Sequence, residues 1–124
     1  MAVINMLKTG DHIICSDDVY GGTQRFIRRV SVPQHGLEVD FVDLTNLEEI
    51  EKAFKPNTKI VWFESPSNPL LKVVDIAAVV HAAKKADPHI LVVVDNTFMS
   101  PYFQDLDDLI ADLDQALKAA IAKV

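Results

Sequence analysis

Four short runs of apolar, largely β-branched residues punctuate the chain: His12 to Cys15, Glu38 to Val42, Lys59 to Phe63 and Ile90 to Val94. Their length and composition predict strands. Between them apolar residues recur at helical spacing over Gln24 to Val30, Leu47 to Phe54 and Ile76 to Ala86, and in the last Ile76, Val79, Val80 and Ala83 share one face. Strand thus alternates with helix, and the strands are apolar on both sides. This predicts an α/β fold, a parallel sheet covered by helices on both faces. Beyond Gln104 the residues Leu106, Leu109, Ile110, Leu113, Leu117 and Ile121 form one stripe, with aspartates early and lysines late as the helix dipole favours. An amphipathic C-terminal helix over Asp105 to Lys123, packed on the sheet, is expected to complete a single α/β domain spanning residues 1–124.

Composition narrows the function classes. The 124 residues are 49% hydrophobic and 24% charged, an ordinary balance for one globular domain. Twelve basic against eighteen acidic residues leave a net charge of −6, which repels phosphate backbones and anionic lipids. Neither nucleic acid nor a membrane is expected as a partner. Cys15 is the only cysteine, so an internal disulfide is impossible and a thiolate zinc site lacks ligands. No apolar run reaches the roughly 18 residues of a membrane span, and the start lacks an export core. A cytoplasmic location is the expectation.

Each predicted strand runs into polar residues, and in parallel sheets the carboxyl ends of strands form the binding edge. Asp43 reads as part of a cap for the Leu47 helix. After the first strand, Asp17 to Thr23 contains Tyr20 beside Gly21 and Gly22; the glycines permit a tight turn and Thr23 can cap the next helix. Tyr20 there offers a flat apolar face for a planar ring, or packs as a loop residue. After the third strand, prolines on either side of Asn68 fix where its amide points, although an Asn-Pro turn needs no ligand. Asp95 ends the most apolar strand and needs a partner, either backbone donors of the following turn or a protonated ring nitrogen of a ligand. His12, His35, His81 and His89 fall in different elements without metal-ligand spacing, and Cys15 reads as a core residue.

Together, Asp17 to Thr23, Glu64 to Pro69 and Asp95 to Phe103 resemble, in order and spacing, the pyridoxal-phosphate enzymes of cysteine and methionine metabolism. The resemblance runs almost continuously from Met1 to Gln104, the middle of that family's large domain. It implies a flavodoxin-like strand order 2-1-3-4, consistent with right-handed crossovers. It also implies that Tyr20 stacks on the pyridine ring of pyridoxal phosphate, Asp95 pairs with its ring nitrogen, Asn68 bonds near its hydroxyl and Thr97 lines the pocket. The family's Ser-x-Thr-Lys run, whose lysine bonds the cofactor covalently, does not occur in these 124 residues. Nor do the family's phosphate cradle and N-terminal arm, and Asp105 to Ala120 resembles the last helix of its C-terminal domain.

The expectation is therefore a truncated, catalytically incompetent relative with no catalytic residue of its own, binding pyridoxal phosphate weakly and without a covalent bond. The alternative is a structural scaffold or oligomerisation module with no ligand, reached by internal deletion or by design. A sheet edge left uncovered would favour a homo-oligomer. A third reading, an enzyme using Lys59 or Lys72, is disfavoured because a solvated lysine stays protonated at neutral pH.

Overall fold

The computed structural model describes residues 2–104 of the chain. Four strands, β1 (His12–Ser16), β2 (Glu38–Val42), β3 (Thr58–Glu64) and β4 (Leu91–Asp95), form one sheet in the order β2-β1-β3-β4. All three pairings are parallel, with Ile14 opposite Asp40 and Val61, and Glu64 opposite Asp95. The expected strands and their order are thus present, each within about a residue or two of its sequence boundaries.

Alternation along the strands divides the core in two. Ile14, Val61, Phe63 and Val92 face α3 (Leu47–Ala53) and α4 (Ile76–Ala86), where they meet Ile50, Val79, Val80 and Ala83. Ile13, Cys15, Ile60 and Trp62 face the other way, onto Val19, Ile27 and Leu37 and onto Ile4 in a short 3-10 turn (Ile4–Met6). β1 and β3 lie between the other two strands and are nearly dry throughout, which is why they read as continuous apolar runs. The α4 face expected from Ile76, Val79, Val80 and Ala83 is the one that packs, and Asp75 caps that helix by accepting from the Ala78 N–H at 3.0 Å.

The first helical region departs from expectation. It runs as α1 (Gly21–Phe26), a π-helical turn (Ile27–Ser31) and α2 (Val32–His35), well beyond Gln24 to Val30. Pro33 reads as a helix breaker because it has no N–H and its ring crowds a carbonyl four residues back; the widened turn just before it is where such a ring is tolerated. Gly36, at φ 64°, then ends the helix in a left-handed cap, its Cα so near Thr9 that a Cβ would lie 2.7 Å from Cγ2. Thr23 does not cap α1; it is buried one turn inside it. Asp43 does not cap α3 either. Asn46 does, accepting from the Glu48 N–H at 3.1 Å, while Asp43 bonds Thr45 and Lys72. A short helix, α5 (Ser100–Phe103), follows β4. The amphipathic helix expected over Asp105 to Lys123 lies outside the described residues.

At the amino end of the sheet, His12 is fully buried, its Nδ1 2.8 Å from Thr58 Oγ1. Its Nε2 faces Asp40 Oδ2 at 3.2 Å but out of line for a hydrogen bond, and Asp40 is bound by Lys55 at 2.8 Å. Burial and, next, the Lys55 charge hold the His12 pKa below its usual value, against the pull of Asp40 and Glu38. The other three histidines are on the surface or near it.

The unfolded chain binds a proton at His12 below about pH 6.5 that the folded chain refuses, so His12 removes stability as pH falls through that value toward its folded pKa. The stability of the wild type relative to His12→Gln should therefore decline below about pH 6.5, by at most about 1.4 kcal/mol per pH unit. Urea unfolding of both proteins at several pH values checks this; a difference that stays constant contradicts it.

Candidate functional site

The helix-bearing connection after β1 lies on one face of the sheet and those after β2 and β3 lie on the other, so chain direction diverges between β1 and β3. A crevice opens there at the carboxyl ends of the strands. Tyr20, Glu64, Pro66, Asn68, Asp95, Thr97 and Phe98 line a cavity of about 370 Å³ at this place. All four residues singled out from sequence, Tyr20, Asn68, Asp95 and Thr97, come together in it. Glu64 and Phe98, which lie within the motifs read from sequence but were given no role there, join them.

Tyr20 immediately precedes α1, its ring 59% exposed and lying over the helix start. A Cβ on Gly22 would sit 2.5 Å from Tyr20 Cε1, so the ring occupies the space that the missing side chain leaves. Glycine is needed here for close approach, and its backbone angles are ordinary.

The loop after β3 is tied to that after β1. Asp18 accepts from the Ser67 hydroxyl and, at 3.0 Å, from the Leu70 N–H. Ser67 Oγ in turn accepts from the Lys72 N–H at 2.9 Å. The peptide bonds before Pro66 and Pro69 are cis. Asn68 is half-buried on the resulting loop, at the wall of the cavity.

Asp95 closes β4. Its Oδ1 accepts from the Thr97 N–H at 3.0 Å and from the Thr97 hydroxyl, so the turn supplies backbone and side-chain donors to one oxygen. Its Oδ2 has no hydrogen bond among the described residues and remains available to a donor in the cavity. The turn-donor alternative of the sequence is thus met at one oxygen of the carboxylate, and the other oxygen is left open among the described residues.

Glu64 stands beside Asp95 in register and is buried. Its Oε1 accepts from the Tyr20 N–H at 2.7 Å, a charge-assisted bond joining β3 to the start of α1. Burial raises its pKa; the Tyr20 N–H opposes this, Asp95 adds to it, and the nearby Asn68 N–H favours the charged form. The signal for Glu64 in the sequence was a carboxylate ending an otherwise apolar strand.

Neither lysine offers a nucleophile. Lys72 Nζ lies 3.0 Å from Asp17 Oδ2 and 3.1 Å from Asp43 Oδ2, and the hydrogen bonds it donates to these carboxylates hold its pKa above the usual value. Lys59 lies on β3, away from the cavity lining. Cys15 is fully buried, and burial, aided by Glu64, pushes its thiol up to about 12, so no thiolate is available. Among the described residues no group of three or more His, Cys, Asp or Glu could hold a metal ion, and no helix is long and apolar enough to cross a membrane.

A parallel sheet with a crevice at its switch point, an aromatic ring on one side and a carboxylate at the end of a nearby strand is the architecture of α/β proteins that bind ligands at the carboxyl edge of the sheet. The chain belongs to the family of Cys/Met metabolism PLP-dependent enzymes, whose model matches residues 1–106. Within it, the run Asp95 to Gln104 resembles the cystathionine γ-lyases, and the relatives agree. The chain is 77% identical over 112 residues to the Caenorhabditis elegans protein named "Putative cystathionine gamma-lyase 2", covering 90% of this chain and 29% of that one. It is 50% identical over 104 residues to human cystathionine gamma-lyase, covering 84% and 25% respectively. The crystal structure of cystathionine gamma-lyase from Lactobacillus plantarum complexed with L-serine superposes with a TM-score of 0.81 at 44% identity, over 86% of this chain and 27% of that one. The chain thus spans less than a third of the length of these relatives.

Replacing Gly22 by Ala should displace the Tyr20 ring while leaving the fold intact, since alanine favours the helix by up to about 1 kcal/mol and only a mobile ring stands in its way. The expected result is an unchanged or slightly raised melting temperature with loss of the proton NMR contacts between the Tyr20 ring and residue 22. A large loss of stability instead would mean that the ring cannot move.

Proposed function

We propose that this cavity is the ring-binding half of a pyridoxal phosphate site, held on part of a large domain, and that this chain binds the cofactor weakly, without a covalent bond and without lyase activity. The observation that carries the reading is the placement of the Asp95 carboxylate, one oxygen free, and the Tyr20 ring on the same cavity of about 370 Å³. Asp95 would take the proton on the ring nitrogen, Tyr20 would cover a ring face, and Asn68 and Thr97 would border the ring. When bound, the cofactor supplies an electron sink. The described residues fit a ring but not its phosphate, because among them the lining carries two carboxylates and no cation.

Catalysis needs more than this. Lys72 is held by two aspartates and Cys15 is a buried thiol, so neither serves as a nucleophile, and the carboxylates of Glu64 and Asp95 that line the cavity cannot replace an amine that bonds the cofactor. Assays with cystathionine, cysteine or homocysteine should accordingly show no turnover above that of free pyridoxal phosphate. Protein-dependent keto-acid or ammonia release that persists in Lys72→Met would show that another group substitutes.

Stacking contributes about 0.5–1.5 kcal/mol and a charge-assisted hydrogen bond about 1.5–3 kcal/mol, against about 4 kcal/mol or more of immobilisation entropy. With burial of ring area added, the expected affinity is no tighter than about 1 mM, about 4 kcal/mol at best. Titration with pyridoxine 5′-phosphate, which lacks the aldehyde and cannot react with surface lysines, should shift the amide signals of Tyr20, Asn68 and Thr97. Asp95→Asn keeps an acceptor for Thr97 and removes the charge, so it should weaken binding about tenfold, as should Tyr20→Ala. Equal binding by all three proteins would place the ligand elsewhere.

A second reading, a self-associating module, is favoured by exposed Leu70, Leu71, Val73, Phe98, Tyr102 and Phe103 on the segments that follow β3 and β4. It predicts a sedimentation coefficient that rises with protein concentration.

A further inference from the structure

We propose that Glu64 is the positioning and charge-setting residue of this cavity: it fixes the segment carrying Tyr20, and together with Asp95 it makes the cavity select a cationic planar ring over a neutral ring of the same shape. The inference rests on the reading of the cavity as a ring site, and extends it to a residue that touches no ring in that reading.

The geometry is specific. Glu64 is 5% exposed, yet one of its oxygens reaches across from β3 to the backbone N–H that precedes α1, at 2.7 Å. No side chain caps the helix at Tyr20; this bond to its N–H, together with the Gln24 N–H donating to its carbonyl at 3.1 Å, holds the backbone from which its ring projects. The Asn68 N–H lies near the same carboxylate, which places the two loops flanking the cavity around a single buried anion.

Register then sets the charge. Parallel pairing puts Glu64 directly beside Asp95, and both carboxylates line the cavity. Among the described residues no lysine, arginine or histidine lines it. The groups that bear on Glu64 from the packed elements are acidic or neutral: Asp95 on β4, Asp18 after β1 and the Cys15 thiol on β1. The cation closest in sequence to the loop, Lys72, is held outside by Asp17 and Asp43. Two adjacent carboxylates with one positive charge between them are stable, whereas two alone repel each other in a partly dry site. Either Glu64 takes a proton or the ligand brings the positive charge, and a neutral ring supplies neither.

The test uses the isotope-labelled 124-residue chain. Without ligand, the Tyr20 amide proton of the wild type should follow a titration lying above the usual glutamate range, and E64Q, which retains an acceptor oxygen, should abolish that titration while keeping the amide downfield. Next, N-methylpyridinium and pyridine, compared at a pH where pyridine is neutral, are titrated against the amides of Asn68 and Thr97. The wild type should bind N-methylpyridinium about tenfold tighter than pyridine, and E64Q should reduce that ratio at least about threefold. E64D, with its charge kept and its reach shortened, should retain the ratio and lose the downfield Tyr20 amide. Equal binding of the two rings by the wild type, or a Tyr20 titration unchanged in E64Q, overturns the proposal. Pyridinium selectivity that depends on Glu64, combined with no response to pyridoxine 5′-phosphate, would remove the cofactor reading and leave this one in place.

Discussion

Parallel pairing of β1 with both β2 and β3 is the constraint from which the rest of the structure follows. A parallel pair needs a crossover connection, and right-handed crossovers leaving β1 in one direction and returning past it in the other must lie on opposite faces. The two apolar clusters, one under α3 and α4 and one under α1 and its continuation, are the consequence. So is the crevice, because the two connections diverge above β1 and β3 and leave the carboxyl ends of the strands uncovered between them.

That edge collects acidic residues, and the structure handles each by a different device. Asp18 is absorbed by hydrogen bonds from Ser67 and Leu70, Asp17 and Asp43 share Lys72, and Asp95 gives one oxygen to Thr97. Glu64 is buried and accepts from the Tyr20 N–H, with the Asn68 N–H near the same carboxylate. The result is a graded edge in which most charges are neutralised locally and two carboxylates, side by side, face the cavity. A site for a protonated ring is an arrangement of this kind, since burial makes an unpaired carboxylate costly and a ligand cation relieves it.

The relatives set the scale of what this chain contains. It matches under a third of each compared lyase, and that third includes the four-stranded parallel sheet and the crevice at its switch point. Exposed Leu70, Leu71, Val73, Tyr102 and Phe103 mark apolar surface close to the same edge. The cavity and the apolar exposure thus fall on one end of the sheet, while the amino end is closed by the His12, Thr58, Asp40 and Lys55 cluster.

Strands and most helices were legible in the sequence because burial on two faces leaves an unbroken apolar run and burial on one face leaves a 3.6-residue repeat; Ile60 to Phe63 and Ile76 to Ala83 are clear instances. The motifs around Tyr20, Asn68 and Asp95 were legible for a related reason, since each directly follows such a run. The sequence did not reveal the helix through Pro33, where a local breaker is overridden by packing of Ile27 and Leu37 on the sheet. Nor did it reveal that Asp43 serves Lys72 rather than α3, that Gly22 makes room for a ring, or that Glu64 stands beside Asp95. Local spacing determines which residues face the same way along one segment. Only strand register and loop closure, set by contacts between residues tens of positions apart, decide which carboxylates become neighbours and which of them is left with a free oxygen.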